Sequence, residues 1–82
     1  MYKATIIIKR RKQILDPQGK AVEQGSKLLG LSNISDVRIG KFIELFVNTD
    51  SESDAKMEVD KLCNKLLANP NIENYKFTLE KQ

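Results

Sequence analysis

Histidine is absent from this 82-residue chain. A serine or cysteine triad of the ordinary kind therefore has no imidazole to act as its base. Cysteine is nearly absent too: Cys63 stands alone, so neither an internal disulfide nor a thiolate metal cage can form. It falls among apolar residues of a helical pattern, which suits a small buried hydrophobe better than a nucleophile with no base. No apolar run approaches the ~18 residues that a membrane span needs. The N-terminus has a strand pattern rather than that of a signal peptide, so a soluble, cytoplasmic chain is expected. Gly19, Gly25, Gly30 and Gly40 stand apart from one another, which leaves no glycine-rich phosphate loop, and only Gly40 sits in a special turn.

What is present is charge, and its position matters. The formal net charge is +3, but Lys9, Arg10, Arg11 and Lys12 supply the excess; without them 10 basic residues face 11 acidic ones. One local patch of this kind can steer a phosphate-bearing partner, but a solvated edge that discourages sheet aggregation is the better explanation. Carboxylates Glu52, Asp54, Glu58 and Asp60 gather early in a helical stretch, where the helix dipole favours them without any catalytic role.

The organising stretch runs from Ser35 to Val47. Val37 and Ile39 alternate with Asp36 and Arg38, Gly40-Lys41 follows, and Ile43, Leu45 and Val47 resume the period of two. The pattern predicts two strands joined by a tight reversal. Phe42 and Phe46 make the second of them apolar on its other face as well, flanking Glu44. An earlier strand, about Tyr2 to Lys9, is also apolar on consecutive positions at Ile6, Ile7 and Ile8. Both strands are expected at the centre of a sheet.

Asp16-Pro17 reads as a helix start, with Asp16 as cap and Pro17 at the first helical position. Ala21, Val22, Gly25, Leu28 and Leu29 share one face of that helix, Gly30 ends it, and Ile14 and Leu15 are expected to tuck beneath it. A second helix starts at Ser51 and carries Ala55, Val59, Leu62, Cys63, Leu66 and Leu67 on one face until Asn69-Pro70. Tyr75, Phe77 and Leu79 then alternate with polar residues in a last strand. The order strand, helix, strand, strand, helix, strand predicts one α+β domain over residues 1–82, ferredoxin-like βαββαβ. Its four-stranded antiparallel sheet has the first and third strands in the middle and two helices on one face. The other face is left for a second copy, burying Phe42 and Phe46 in a sheet-on-sheet contact and making a homodimer.

Two other functions fit this topology. Acyl phosphatases of the same fold need an arginine cradle after the first strand and a positioned asparagine, and only Arg10 and Arg11 lie nearby. RNA-recognition domains carry stacking aromatics on their third strand. Gly40 to Phe46 has a superficial likeness to that motif, although Glu44 stands between the two aromatics and the first strand offers Ile and Ala instead of an aromatic. An RNA-binding or other protein-interaction module is the alternative reading.

Three stretches, Ile14-Leu15-Asp16-Pro17-Gln18-Gly19-Lys20-Ala21-Val22, Val37-Arg38-Ile39-Gly40-Lys41-Phe42-Ile43-Glu44-Leu45 and Cys63 to Tyr75, together resemble the PurS family. Its members are small S subunits of phosphoribosylformylglycinamidine (FGAM) synthase. The likeness covers nearly the whole chain in one register. It implies a non-catalytic subunit of a purine-biosynthetic, ATP-dependent ligase, with no catalytic, cofactor-binding or metal residue of its own. ATP and magnesium would then belong to the large synthetase subunit, PurL, and ammonia would come from a glutaminase subunit, PurQ. The small subunit would form dimers and bridge the two; no nucleic acid and no membrane partner is implied. Gln18, Lys20, Arg38 and Lys41 match the family pattern without an evident structural need, which makes them the expected subunit contacts; Phe42 and Phe46 are the expected dimer contacts, and Tyr75 is expected as a core or dimer contact. The chain departs from the family before Ile14, where Lys12 and Gln13 replace a Pro-Gly pair, and at Gly25 and Ser26 in the first helix.

Overall fold

The computed structural model describes residues 1–82. Strand β1 is Tyr2–Arg10, helix α1 Pro17–Leu28, strand β2 Lys41–Val47, helix α2 Glu52–Leu62 and strand β3 Glu73–Lys81. The strands form one antiparallel sheet in the order β2-β1-β3. In register, Ile6 lies between Ile43 and Phe77, and Ala4 between Leu45 and Leu79. Alternation decides the faces. Ala4, Ile6 and Ile8 point to the side covered by α2, where Val59, Cys63 and Ala68 close a small core.

The sheet has three strands, not the expected four, because Val37–Ile39 pairs with no neighbour. Asp36 turns the chain out of extended geometry at φ 55°. The Ile39 amide donates to Asp16 Oδ2 at 2.7 Å instead of to a strand carbonyl. With that strand gone, β2 lies at the sheet edge, while β1 keeps its central place.

The ends of α1 form as the sequence predicts. Asp16 accepts the Gly19 amide at 3.0 Å and Pro17 occupies the first helical position. At the other end Gly30 adopts φ +83°, with the Leu31 amide donating to Ser26 O and the Gly30 amide to Lys27 O. That pair of bonds is a Schellman closure, which satisfies carbonyls the helix would otherwise leave open. The packing of α1 differs from expectation: only α2 lies on the sheet, and α1 projects from it. Of the expected core face, Leu28 is 89% and Leu29 79% exposed, and Ala21 and Val22 are exposed as well. Leu15 is exposed too, so it does not act as a staple. The radius of gyration, 16.4 Å, far exceeds the ~12 Å of a compact chain of this length. The longest dimension is 51 Å.

Helix α2 begins at Ser51, whose hydroxyl accepts the Asp54 amide at 3.2 Å. Ala55, Val59 and Cys63 follow at spacings of four and are buried. Residues Cys63–Leu67 then widen into a π turn, closed by the Ala68 amide on Cys63 O at 2.9 Å. The extra residue in the turn brings Ala68 into the core and leaves Leu66 exposed, against the α-helical expectation. No helix is long and apolar enough to cross a membrane.

Candidate subunit interface

The chain has few buried side chains and much exposed apolar surface, so the candidate sites are surfaces. The first is at the end of the sheet where β1 finishes. There the segment Asp36–Gly40, hereafter the strap, runs across the start of α1. Asp16, 3% exposed, holds both elements at once through the Gly19 and Ile39 amides. Those two amide hydrogen bonds keep its carboxyl below the usual carboxylate range, with the Arg38 and Arg10 charges assisting. Glu23 repeats the arrangement two turns later: it accepts the Asp36 amide at 2.7 Å, which lowers its carboxyl likewise.

Two glycines let the backbones approach this closely. A Cβ on Gly19 would overlap the Val37 carbonyl, and one on Gly40 would come within 2.5 Å of Ile8 O. Sequence reasoning singled out Gly40 and passed over Gly19. The available signal was a glycine in the first turn of a helix, where almost any residue has the better helix propensity.

The expected contact residues gather around this end but do not share one role. Gln18 and Lys20 are exposed at the start of α1, and Lys20 pairs with Glu23 at 3.4 Å. Lys41 is exposed at the start of β2, 4.0 Å from the Glu73 carboxylate. Arg38 turns inward: its guanidinium donates to Arg11 O at 2.7 Å and to Ile14 O at 3.0 Å. It therefore has a structural task that sequence reasoning denied it, tying the strap to the loop after β1. Arg11 in the basic run is structural as well, donating to Pro70 O at 2.6 Å and, through its amide, to Ile72 O.

The second surface is the sheet face that no helix covers. Phe42 and Phe46 stand on it, 64% and 60% exposed. Ile7 is the cross-strand partner of Phe42 on the same face. Glu44 lies between the two aromatics and pairs with Lys3 at 2.8 Å, a hydrogen bond that raises the Lys3 ammonium above its ordinary value. A carboxylate held there opposes a nucleic-acid backbone across the two rings. Tyr75 does not join Phe42 and Phe46. It packs on the opposite face against the core, and its hydroxyl donates to Asp60 Oδ1 at 2.7 Å, which raises the phenol above its usual range.

Chemically these surfaces can bind and orient. Cys63 is fully buried, and burial pushes its thiol up, with the nearby Asp60 charge adding to the effect. No three acidic or cysteine side chains come together to hold a metal ion.

Comparison with known proteins gives a consistent result. The family model described as PurS, phosphoribosylformylglycinamidine (FGAM) synthase, matches residues 3–81. The PurS subunit of that synthase from Methanocaldococcus jannaschii is 41% identical over 81 residues, covering 99% of this chain and 98% of the relative. The structure of Bacillus subtilis PurS in a C2 crystal form superposes with a TM-score of 0.90 at 38% identity, covering 99% of this chain and 100% of that one. A chain in the structure of PurLQS from Thermotoga maritima superposes with a TM-score of 0.86 at 29% identity, covering 96% of both.

Proposed function

This chain belongs to the PurS family, as a subunit of FGAM synthase in purine biosynthesis, and on that premise we propose that it works by geometry within the complex. It bridges the large synthetase subunit, PurL, and the glutaminase subunit, PurQ, in the cytoplasm, so that ammonia passes between their active sites. ATP and magnesium belong to the large subunit. This chain contributes surfaces: Gln18, Lys20 and Lys41 at the strap end of the sheet touch partner subunits, with Arg38 shaping that end from within. The Phe42 and Phe46 face packs on a second copy, and Tyr75 supports α2 on the other side of the sheet.

The observation that carries this reading is the apolar surface left open beside a site with no nucleophile and base. Phe42 and Phe46 stand exposed on the bare sheet face, and α1 carries a second unpartnered apolar face. A chain this small buries only about 60% of its unfolded surface even when compact, and this one is not compact. Its stability therefore has to be completed by partners.

The test is glutamine-dependent ATP turnover by PurL and PurQ from the same source, with and without this chain. Ammonia-dependent turnover is the control. Rescue of the glutamine-dependent reaction alone is expected. If the chain changes neither reaction and does not co-elute with the two subunits, the bridging role is wrong, and single-stranded RNA binding to the Phe42 and Phe46 face becomes the next measurement.

A further inference from the structure

The roles given above absorb only Arg11 of the basic run that follows β1. Lys9, Arg10 and Lys12 come together with Asn74 and Lys76 of β3 around an open bay of about 280 Å³, with Ile7 at its base. Register explains how residues so distant in sequence meet. Lys76 lies opposite Ile7 and Asn74 opposite Lys9, so Lys9, Asn74 and Lys76 share the bare face of the sheet. The bay is on the β3 side of that face, whereas Phe42 and Phe46 stand on β2.

None of these four cations has a carboxylate partner, although Lys3, Lys20 and Lys41 each have one. The acids nearest to them are engaged elsewhere. Glu73, opposite Arg10 in register, accepts the Asn69 amide and faces Lys41. Asp16 accepts the Gly19 and Ile39 amides, and the Arg10 charge only assists there. Lys9 and Lys76 are diagonal neighbours on adjacent strands, where like charges repel. A basic run that merely guards a sheet belongs on an edge strand, but Lys9 and Arg10 are on β1, the central one. The bay is also held in shape. Arg11 donates to Pro70 O and Ile72 O, which fixes the loop carrying Lys12 against the start of the strand carrying Asn74 and Lys76. Donors placed before a ligand arrives lose less freedom when it binds.

We propose that this bay binds a phosphate chain, a diphosphate or triphosphate group that is either free or the end of a nucleotide. Lys9, Lys12 and Lys76 meet its oxygens as point charges, Arg10 adds positive charge from the rim, and the Asn74 side-chain amide donates a neutral hydrogen bond. Volume limits what enters. Pockets that enclose a whole small-molecule ligand run from ~300 to 1,000 Å³. This bay is smaller and open, so it takes the phosphates and leaves any nucleoside outside. The site is separate from the subunit contacts proposed above, and neither depends on the other.

The test titrates the isotope-enriched full chain at constant ionic strength with inorganic pyrophosphate, ATP or adenosine, following the backbone amide signals. Pyrophosphate and ATP should each give a saturable shift centred on Lys9 to Lys12 and on Asn74 to Lys76, and adenosine none. Tighter binding of ATP would identify a nucleotide as the ligand, and equal binding the phosphate chain alone; both support the site. Lys9→Gln with Lys76→Gln alters two exposed side chains, so the amide spectrum should stay folded while pyrophosphate binds about tenfold more weakly or worse. Lys56→Gln with Lys61→Gln removes the same charge from exposed positions of α2, on the other side of the sheet, and should leave the affinity nearly unchanged. Equal weakening by the two pairs would reduce the effect to net charge and overturn the site, as would the lack of any saturable shift. A single-stranded oligonucleotide that binds where pyrophosphate does not, with shifts spread over Phe42 and Phe46, would overturn it in favour of nucleic acid along the bare face.

Discussion

Two glycine-to-alanine substitutions in the same helix should change stability in opposite directions. Alanine is the better helix former by about 0.5–1 kcal/mol. At Gly25 nothing lies within 4 Å of the added methyl, and the backbone there is not left-handed, so Gly25→Ala should realise that gain. With a Tm shift of roughly 4–8 °C per kcal/mol for a domain of this size, the rise is a few degrees. At Gly19 the methyl would overlap the Val37 carbonyl, a backbone atom that a side-chain rotation cannot move. The strap must retreat, which takes the Ile39 amide off Asp16. Losing a partly buried hydrogen bond to a charged acceptor costs about 1.5–3 kcal/mol. Set against the propensity gain, Gly19→Ala should destabilise by about 1–2 kcal/mol, and by more if Arg38 also loses its two carbonyls. Urea denaturation followed by circular dichroism gives both signs, and amide exchange at Ile39 reports whether the strap has come away. A Gly19→Ala protein as stable as the parent, with Ile39 still protected, would refute the clasp. A Gly25→Ala protein that melts earlier would mean that another chain packs closely on that glycine.

Asp16 predicts an acid limb. Its carboxyl titrates below the ordinary range when folded, so its contribution is present above the unfolded value, near 3.9, and is lost as pH falls through the folded one. Asp16→Asn should flatten that limb in stability measured against pH, and an unchanged limb would place the acid sensitivity elsewhere. Buried Cys63 should react with a thiol reagent only at the rate of unfolding, even at alkaline pH; rapid modification of the folded chain would contradict its place in the core. Asp60→Asn should bring the Tyr75 phenol down toward its ordinary value, read by ultraviolet absorbance against pH, because the Asp60 carboxylate is what holds it up. Arg38→Ala should free the strap, seen as faster amide exchange at Ile39, since the guanidinium ties it to Arg11 and Ile14; unaltered exchange there would reduce Arg38 to a surface charge.

What the amino-acid order determined by itself is what depends on near neighbours. Asp16-Pro17 started α1 and Gly30 closed it, Ser51 started α2, and the alternation of Tyr75, Phe77 and Leu79 marked β3 with the correct face inward. Each of those signals is satisfied within a turn of helix or across one strand. The resemblance over three stretches likewise lay in the order of residues, and it led to the family. Only the tertiary structure decided what each apolar face meets. The period of α1 correctly identified an apolar stripe, but a stripe says nothing of its partner, and here its own chain supplies none. Val37 and Ile39 alternate as a strand should, yet a strand exists only when its amides find a ladder, and Asp16, 23 residues away in sequence, took the Ile39 amide first. Arg38 read as a free surface charge because the carbonyls of Arg11 and Ile14 come to it through the fold. Leu66 was turned outward by a single residue of π winding, which no 3.6-residue period reveals. Local hydrogen bonds and steric preferences are written in short stretches of sequence; competition between distant partners for the same donor is settled only when the chain has closed on itself.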